Sequence, residues 1–268
     1  MRLRVRHLLL PVLLSPILCP AQAKPEEVRF PSGKLTLHGF LYKPEGSGPF
    51  PAVLWNHGSE PRPGWLPELG PLFVSRGYVL FIPHRHGQGR SPGPYIMDLL
   101  AEAQRTEGPA ARSRRLVELM EEHLQDQEAA FTYLKGLSSV DPKKIAVAGC
   151  SFGAIQTVLA ASQPWGLRAA IDFAGGAESW EGSPDLRERM SNAVRKSLVP
   201  IFFIQAANDY DLAPSKKLSQ DMEKAGKPYK LQIFPAFGTT AQEGHEFCVH
   251  GGQIWASEVF AFLGSAMQ

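Results

Sequence analysis

The sequence predicts an α/β protein built on a doubly wound, mostly parallel sheet of eight strands with helices on both faces. Three observations carry this prediction. Eight short runs of apolar or alternating residues recur between residues 27 and 234, and helical patterns separate the later ones. The first two runs flank a tight Pro31-Ser32-Gly33 turn, which makes the start of the sheet antiparallel. Finally, Gly149-Cys150-Ser151-Phe152-Gly153 falls where the apolar run Ile145–Ala148 gives way to a helical pattern of Ile155, Val158 and Leu159. A Ser between two glycines at a strand-to-helix junction is a nucleophile elbow, a turn sharp enough to lift the hydroxyl clear of the sheet.

In order along the chain, Glu27–Phe30 and Leu35–Tyr42 form the opening hairpin. After a loop rich in Gly and Pro, Ala52–Trp55 is an apolar strand ending at Asn56-His57-Gly58-Ser59, and Tyr78–Ile82 is the next. Continuous apolar runs of this length suit strands covered on both faces. Residues 112–135 carry Leu116, Met120, Leu124, Phe131 and Leu134 at helical spacing, and Asp141-Pro142 punctuates ahead of the elbow strand. Ala169–Ala174, Ile201–Ala206 and Lys230–Phe234 are the last three strands. Ser215–Ala225 is a helix between the last two, and Gly252–Leu263 is an amphipathic helix at the end. Segments 87–111 and 175–198, rich in Gly, Pro and charge, fall where cap-like insertions would project over a site.

Residues 1–23 read as a signal peptide. Arg2, Arg4 and Arg6 precede an apolar core, Leu8–Leu18, and Ala21-Gln22-Ala23 offers a cut after Ala23. The core is too short and too broken by Pro11 and Pro16 to span a bilayer. The expectation is therefore an exported protein whose residues 24–268 form one α/β domain. The chain holds 28 basic and 26 acidic residues, and the leader takes three arginines, so the remainder is close to neutral. Nothing in that balance points to nucleic acid or an anionic membrane as partner. Cys150 and Cys248 are the two cysteines beyond the leader. They do not make a disulfide framework, and two small buried hydrophobes is the default, with a bond between them open.

Serine needs a base to take its proton and a third group to orient that base. Ligands in such sheets lie beyond the carboxyl ends of strands. Asp209 follows the strand Ile201–Ala206, and His245 follows Lys230–Phe234 by a loop. Ser151, Asp209 and His245 therefore form the candidate catalytic group, in an order that suits the elbow. Asp211 is the rival acid and His250 the rival base, and His57 reads as a structural hydrogen-bonder. The oxyanion donors are expected to be the backbone N–H groups of Phe152, at a helix start, and Ser59. His84-Arg85-His86 lacks an Asp or Cys at ligand spacing, so no metal is expected there. Arg85 and Arg90 are either contacts for an anionic substrate or solvated loop charges. Trp65 and Trp180, in irregular segments, join Arg85 and Cys150 as candidates to line a pocket.

With these residues in view, the chain resembles an α/β-hydrolase, and within that superfamily the dienelactone hydrolase-like branch. The similarity covers about residues 27–264 and is carried by Asn56-His57-Gly58-Ser59, by Val140–Ile145 leading into Gly149–Gly153, by Asn208-Asp209 and by Gly244-His245-Glu246-Phe247. It implies the α/β-hydrolase fold and a serine hydrolase without metal or organic cofactor, acting on a small-molecule ester. The branch's founding enzymes use Cys as nucleophile, whereas Ser151 stands here with Cys150 before it, which argues against a dienelactone substrate. Two other functions remain open at this point: a peptidase or amidase of the prolyl-oligopeptidase type, and a catalytically silent binding protein on the same fold.

Overall fold

The structure of the protein is a computed structural model and describes residues 24–268. The expected leader and its cut lie outside the described residues. Eight strands form one sheet: β1 (Glu26–Ser32), β2 (Leu35–Tyr42), β3 (Phe50–Asn56), β4 (Val79–Pro83), β5 (Val140–Cys150), β6 (Ala170–Phe173), β7 (Ile201–Ala206) and β8 (Tyr229–Phe234). Their spatial order is β1-β2-β4-β3-β5-β6-β7-β8. Both pairings of β2, with β1 and with β4, are antiparallel, and every pairing from β4 onward is parallel.

Parallel neighbours need crossovers, and helices supply them. The crossover helices are α1 (Leu69–Val74), α2 (Ile96–Glu107), α3 (Pro109–Lys135), α4 (Phe152–Ala160), α5 (Pro184–Arg195) and α6 (Ala213–Lys224), while α7 (Ala241–His245), α8 (Phe247–His250) and α9 (Gly252–Ala266) follow β8. Because side chains alternate across a strand, each central strand feeds two cores. Leu54, Phe81, Val147 and Phe203 join the core under α2 to α6, while Trp55, Leu80, Ala148 and Phe202 join the one under α1 and α9. Complete burial of each such Leu or Phe is worth roughly 1.5–3 kcal/mol, so the central strands anchor the site that stands at their ends.

Two local differences from the sequence reading have physical causes. Asp141-Pro142 does not end an element: β5 runs through it, and its register against β3 jumps from Phe50–Val140 to Ala52–Ile145. Proline is tolerated at such an irregularity because no ladder hydrogen bond is demanded of it there. Segments 87–111 and 175–198 each contain a helix rather than an irregular cap. In α5, Pro184 occupies the first turn and Leu186, Met190 and Val194 are buried on one face. The charges between them, Arg187, Glu188 and Arg189, disguised that face in the sequence.

Candidate active site

The elbow is built by close approach. At Ser151 the backbone has φ 55° and ψ −120°, a left-handed conformation that costs a non-glycine residue energy. The two glycines have no room for a side chain. A Cβ at Gly149 would stand 2.4 Å from the Gly153 carbonyl oxygen, and one at Gly153 would stand 2.0 Å from that of Asn56. Ser151 N–H donates to the Phe173 carbonyl at 2.9 Å, which fixes the turn against β6. Helix α4 begins at the next residue, so the Phe152 N–H has no partner within the helix.

His245 is the last residue of α7, a short helix started by a capping box between Thr240 and Glu243. Its Nδ1–H donates to Asp209 Oδ1 at 2.8 Å. Asp209 is held in turn: Tyr210 N–H donates to Oδ1 at 2.7 Å, and Gln205 Nε2 donates to Oδ2 at 3.0 Å. Asn208 ties the two loops together, donating to the carbonyls of Phe237 and Thr240 and accepting from Phe237 N–H. Asp211, the rival acid, accepts instead from Ala213 N–H at 2.7 Å, at the start of α6. His250 is exposed at the end of α8.

With Nδ1 committed to Asp209, His245 turns Nε2 toward a cleft of about 530 Å³ that Ser151, Ser59 and His57 also line. That nitrogen is buried and has no hydrogen-bond partner among the described residues, and the Glu178 carboxylate lies 3.6 Å from it. Burial depresses the basicity of His245, but the Asp209 hydrogen bond and the charges of Asp209, Glu178 and Glu246 more than offset this and hold its pKa above the ordinary histidine value. The Tyr210 ring stands edge-on to the imidazole, with centroids 5.3 Å apart.

The loop after β3 crosses beside the nucleophile, with Gly58 facing Ser151 Cβ. Behind this loop lies Arg85, and the structure corrects the reading of it as a contact for an anionic substrate. Arg85 is only 4 % exposed and does not line the cleft. Its Nη1 donates to the His57 carbonyl at 2.8 Å, its Nη2 to the Gly58 carbonyl at 2.5 Å and its Nε to Gln88 Oε1 at 3.0 Å. Burial lowers its pKa to about 10, so it keeps its charge at neutral pH. A trans peptide sets C=O and N–H on opposite sides. Drawing the Gly58 carbonyl toward Arg85 therefore aims the Ser59 N–H the other way. Arg90, by contrast, is exposed and pairs with Glu27 at 2.7 Å.

Other candidates also move. Trp65 is 44 % exposed and lies outside the cleft, with its ring against Phe40. Trp180 is buried in the core beneath α5 and does not line the cleft either. Of the two cap-like segments, 175–198 sends Glu178 to the cleft and 87–111 sends nothing. His84 Nε2 bonds the Gly64 carbonyl at 2.9 Å, while His86 Nδ1 bonds Asp126 at 2.6 Å. Among the described residues no group of three His, Cys, Asp or Glu could hold a metal ion, and no helix is long and apolar enough to cross a membrane.

The cysteines are not two separate hydrophobes. Cys150 and Cys248 form a disulfide, with Cα atoms 5.9 Å apart, which joins the elbow to α8 three residues after His245. Sequence reasoning also missed Gln205, Asp172 and Glu178. Gln205 and Asp172 each interrupt an otherwise apolar buried strand, and a polar residue in such a run signals a specific partner.

Fold and site together define an α/β-hydrolase. The model of the Dienelactone hydrolase family matches residues 37–253, and the chain belongs to that family. A curated relative, the quorum-quenching protein AidA of Acinetobacter baumannii, is 25% identical over 148 residues, which cover 55% of this chain and 42% of that protein. Among solved structures, the Pyrococcus horikoshii acylaminoacyl peptidase is similar with a TM-score of 0.65 and 19% identity, over 87% of this chain and 39% of the peptidase. The Pyrococcus furiosus esterase Pf2001 has a TM-score of 0.63 and 16% identity, over 91% of each chain. The chain thus spans less than half the length of AidA and of the peptidase, and nearly the whole of the esterase. At these identities the solved structures show the shared fold.

Proposed function

We propose that the protein is an exported serine hydrolase that cleaves a carboxylic ester through an acyl-enzyme. The observation that carries this reading is the His245–Asp209 hydrogen bond, which leaves Nε2 without a hydrogen-bond partner among the described residues, on an imidazole that lines the same cleft as the elbow serine. In this reading His245 Nε2 takes the Ser151 proton as Oγ attacks the ester carbonyl. The oxyanion is bound by the N–H groups of Phe152 and Ser59. The tetrahedral intermediate collapses, and the imidazolium returns the proton to the leaving alkoxide. Water then attacks the acyl-enzyme with His245 again as base, which restores Ser151. Asp209 keeps Nδ1 protonated and stabilises the imidazolium throughout.

Membership of a hydrolase family and a fold shared over 91% of an esterase's chain support an ester over an amide. Likeness to the acylaminoacyl peptidase keeps peptide hydrolysis as the competing chemistry. Export is supported by the basic, then apolar, then small-residue order of residues 1–23 and by the Cys150–Cys248 bond, since disulfides persist in oxidising compartments.

One experiment reads the proposal. The secreted protein is treated with a fluorophosphonate and mapped by peptide mass, alongside turnover of short-chain esters and chromogenic peptides. The expected result is a label on Ser151, an N-terminal peptide beginning at Lys24, and ester turnover that Ser151→Ala lowers by roughly 10³- to 10⁶-fold. A Ser151→Ala protein with full esterase activity would overturn the assignment.

A further inference from the structure

Among the described residues, the cleft that holds Ser151 is lined by four carboxylates, Glu60, Glu68, Glu178 and Glu246, and by no Lys or Arg. Elsewhere on the surface glutamates hold cations: Glu27 pairs with Arg90, Glu102 with Arg105, Glu121 with Arg189 and Glu258 with Lys230. None of the four cleft glutamates pairs with a Lys or Arg among the described residues, and the one ion-pair contact among them is that of Glu178 with His245 Nε2 at 3.6 Å. Arg85, the guanidinium behind the loop, is spent on the carbonyls of His57 and Gly58. Like charges lining one concave surface repel, and low-dielectric walls focus their field into the cleft.

Their placement brackets the reacting atoms. The Glu60 carboxylate lies against Gly58, beside the loop that faces Ser151 Cβ. Glu178 lies 3.6 Å from His245 Nε2, and Glu246 adjoins His245 in sequence, with its carboxylate taking a hydrogen bond from Gln242. These carboxylates share the cleft with the candidate nucleophile and base, since Ser151 and His245 line it too. His245 is 7 % exposed, and among the described residues its Nε2 has no hydrogen-bond partner, with the Glu178 carboxylate its near neighbour.

We propose that this cleft selects substrates that carry a positively charged nitrogen, as an ammonium or quaternary ammonium group, on the leaving-group side of the scissile carbonyl. The leaving-group side follows from Glu178, which stands beside the nitrogen that hands the proton to the departing group. A cation there relieves the mutual repulsion of the carboxylates, and an anionic substrate adds to it. The inference rests on the serine hydrolase reading for its chemistry and on the charge lining for its selectivity.

The test uses three thioacetates of matched shape: acetylthiocholine, its uncharged tert-butyl isostere, and an analogue ending in a carboxylate. The expected kcat/KM for acetylthiocholine exceeds that of the isostere by about 10-fold or more at low ionic strength, and the anionic analogue falls below both. The gap narrows as salt is added, because exposed carboxylates are screened. Glu178→Gln lowers the cation-to-isostere ratio by about 3-fold or more. Hydrolysis of all three at similar kcat/KM, with a ratio that Glu178→Gln does not move, overturns the inference while leaving the hydrolase reading intact. Binding of choline to Ser151→Ala protein, measured by calorimetry against its uncharged carbon isostere, reads the cation site without catalysis. Tighter binding of choline supports the site even if no thioacetate is cleaved, and the hydrolase reading is then judged separately by Ser151 labelling and ester turnover. Choline binding no tighter than its isostere overturns the inference.

Discussion

Arg85 shows how one side chain can set a reaction geometry without touching the substrate. Its guanidinium is buried and, among the described residues, finds no carboxylate within ion-pair reach, so its hydrogen bonds go to carbonyl oxygens of the loop after β3 and to Gln88, with the charges of Glu60 and Asp126 acting on it from further off. Gln88 extends the brace by donating to the Glu60 carbonyl at 2.7 Å. Three carbonyls of residues 57–60 are thus drawn to the inner side, and the Ser59 N–H is left to the outer one. Lysine carries the same charge but a single ammonium, which cannot reach His57, Gly58 and Gln88 together in the planar fork that Arg85 uses. Arg85→Lys is expected to lower kcat by about 10- to 100-fold with KM much less affected, because an oxyanion donor counts in the transition state rather than in binding. It should also cost roughly 1–3 kcal/mol of stability from carbonyls left unsatisfied. A variant with wild-type kcat, or with the loss confined to KM, would remove Arg85 from this positioning role.

At the scale of elements, the disulfide does what no single helix does here. α7 and α8 have five and four residues, too short to be stable alone, and they carry His245. The Cys150–Cys248 bond closes a stretch of 98 residues and pins this pair to the elbow. In the chain-entropy account a loop of that length is worth up to about 5 kcal/mol, and removing a native disulfide typically costs 2–5 kcal/mol. Cys248→Ser, read by its denaturant midpoint and by esterase rate, is expected to lose about that much stability and a larger share of activity than of secondary structure. Unchanged stability and rate would mean that the packing of Phe247 and Trp255 suffices to hold the helices. The bond also marks the limit of what the sequence discloses. All eight strands were legible because each is a continuous or alternating apolar run, and the order Ser151, Asp209, His245 was legible because those residues follow such runs. The pairing of Cys150 with Cys248 was not, since it depends on a Cα separation across the fold. Nor was the direction of Arg85, because a sequence shows a charge but not which way it turns. α5 was hidden for a third reason: its charged face dilutes the apolar one.

For the whole molecule, buried ionisable groups bound the pH range in which the fold is most stable. Asp172, at the sheet end beneath the elbow, is pushed up to about 7 by burial, against the lowering effect of the Gly175 N–H that donates to it and with further help from the charge of Asp209. Folded protein therefore holds this proton more tightly than the unfolded chain, where the carboxyl titrates near 4. Stability falls as pH rises from about 4 to about 7, and the fall is complete once Asp172 is charged in both states. His86 and His245 act in the same direction above about 6.5, since their raised affinities in the fold stabilise only while they are protonated there. His57 and His123 oppose them: burial holds both well below the ordinary value, so the unfolded chain binds their protons first and stability drops as pH falls below about 6.5. The stability curve should therefore peak in mildly acid solution, near pH 6 to 6.5 by these ordinary values. Asn at position 172 keeps an oxygen for the Gly175 N–H and removes the charge. Asp172→Asn is accordingly expected to raise the unfolding free energy by up to about 4 kcal/mol at pH 8 and by little at pH 4, flattening the alkaline side of the curve. Denaturant titrations of both proteins across pH 4 to 9 test this, and parallel curves would show that the Asp172 charge is accommodated in the fold at no cost.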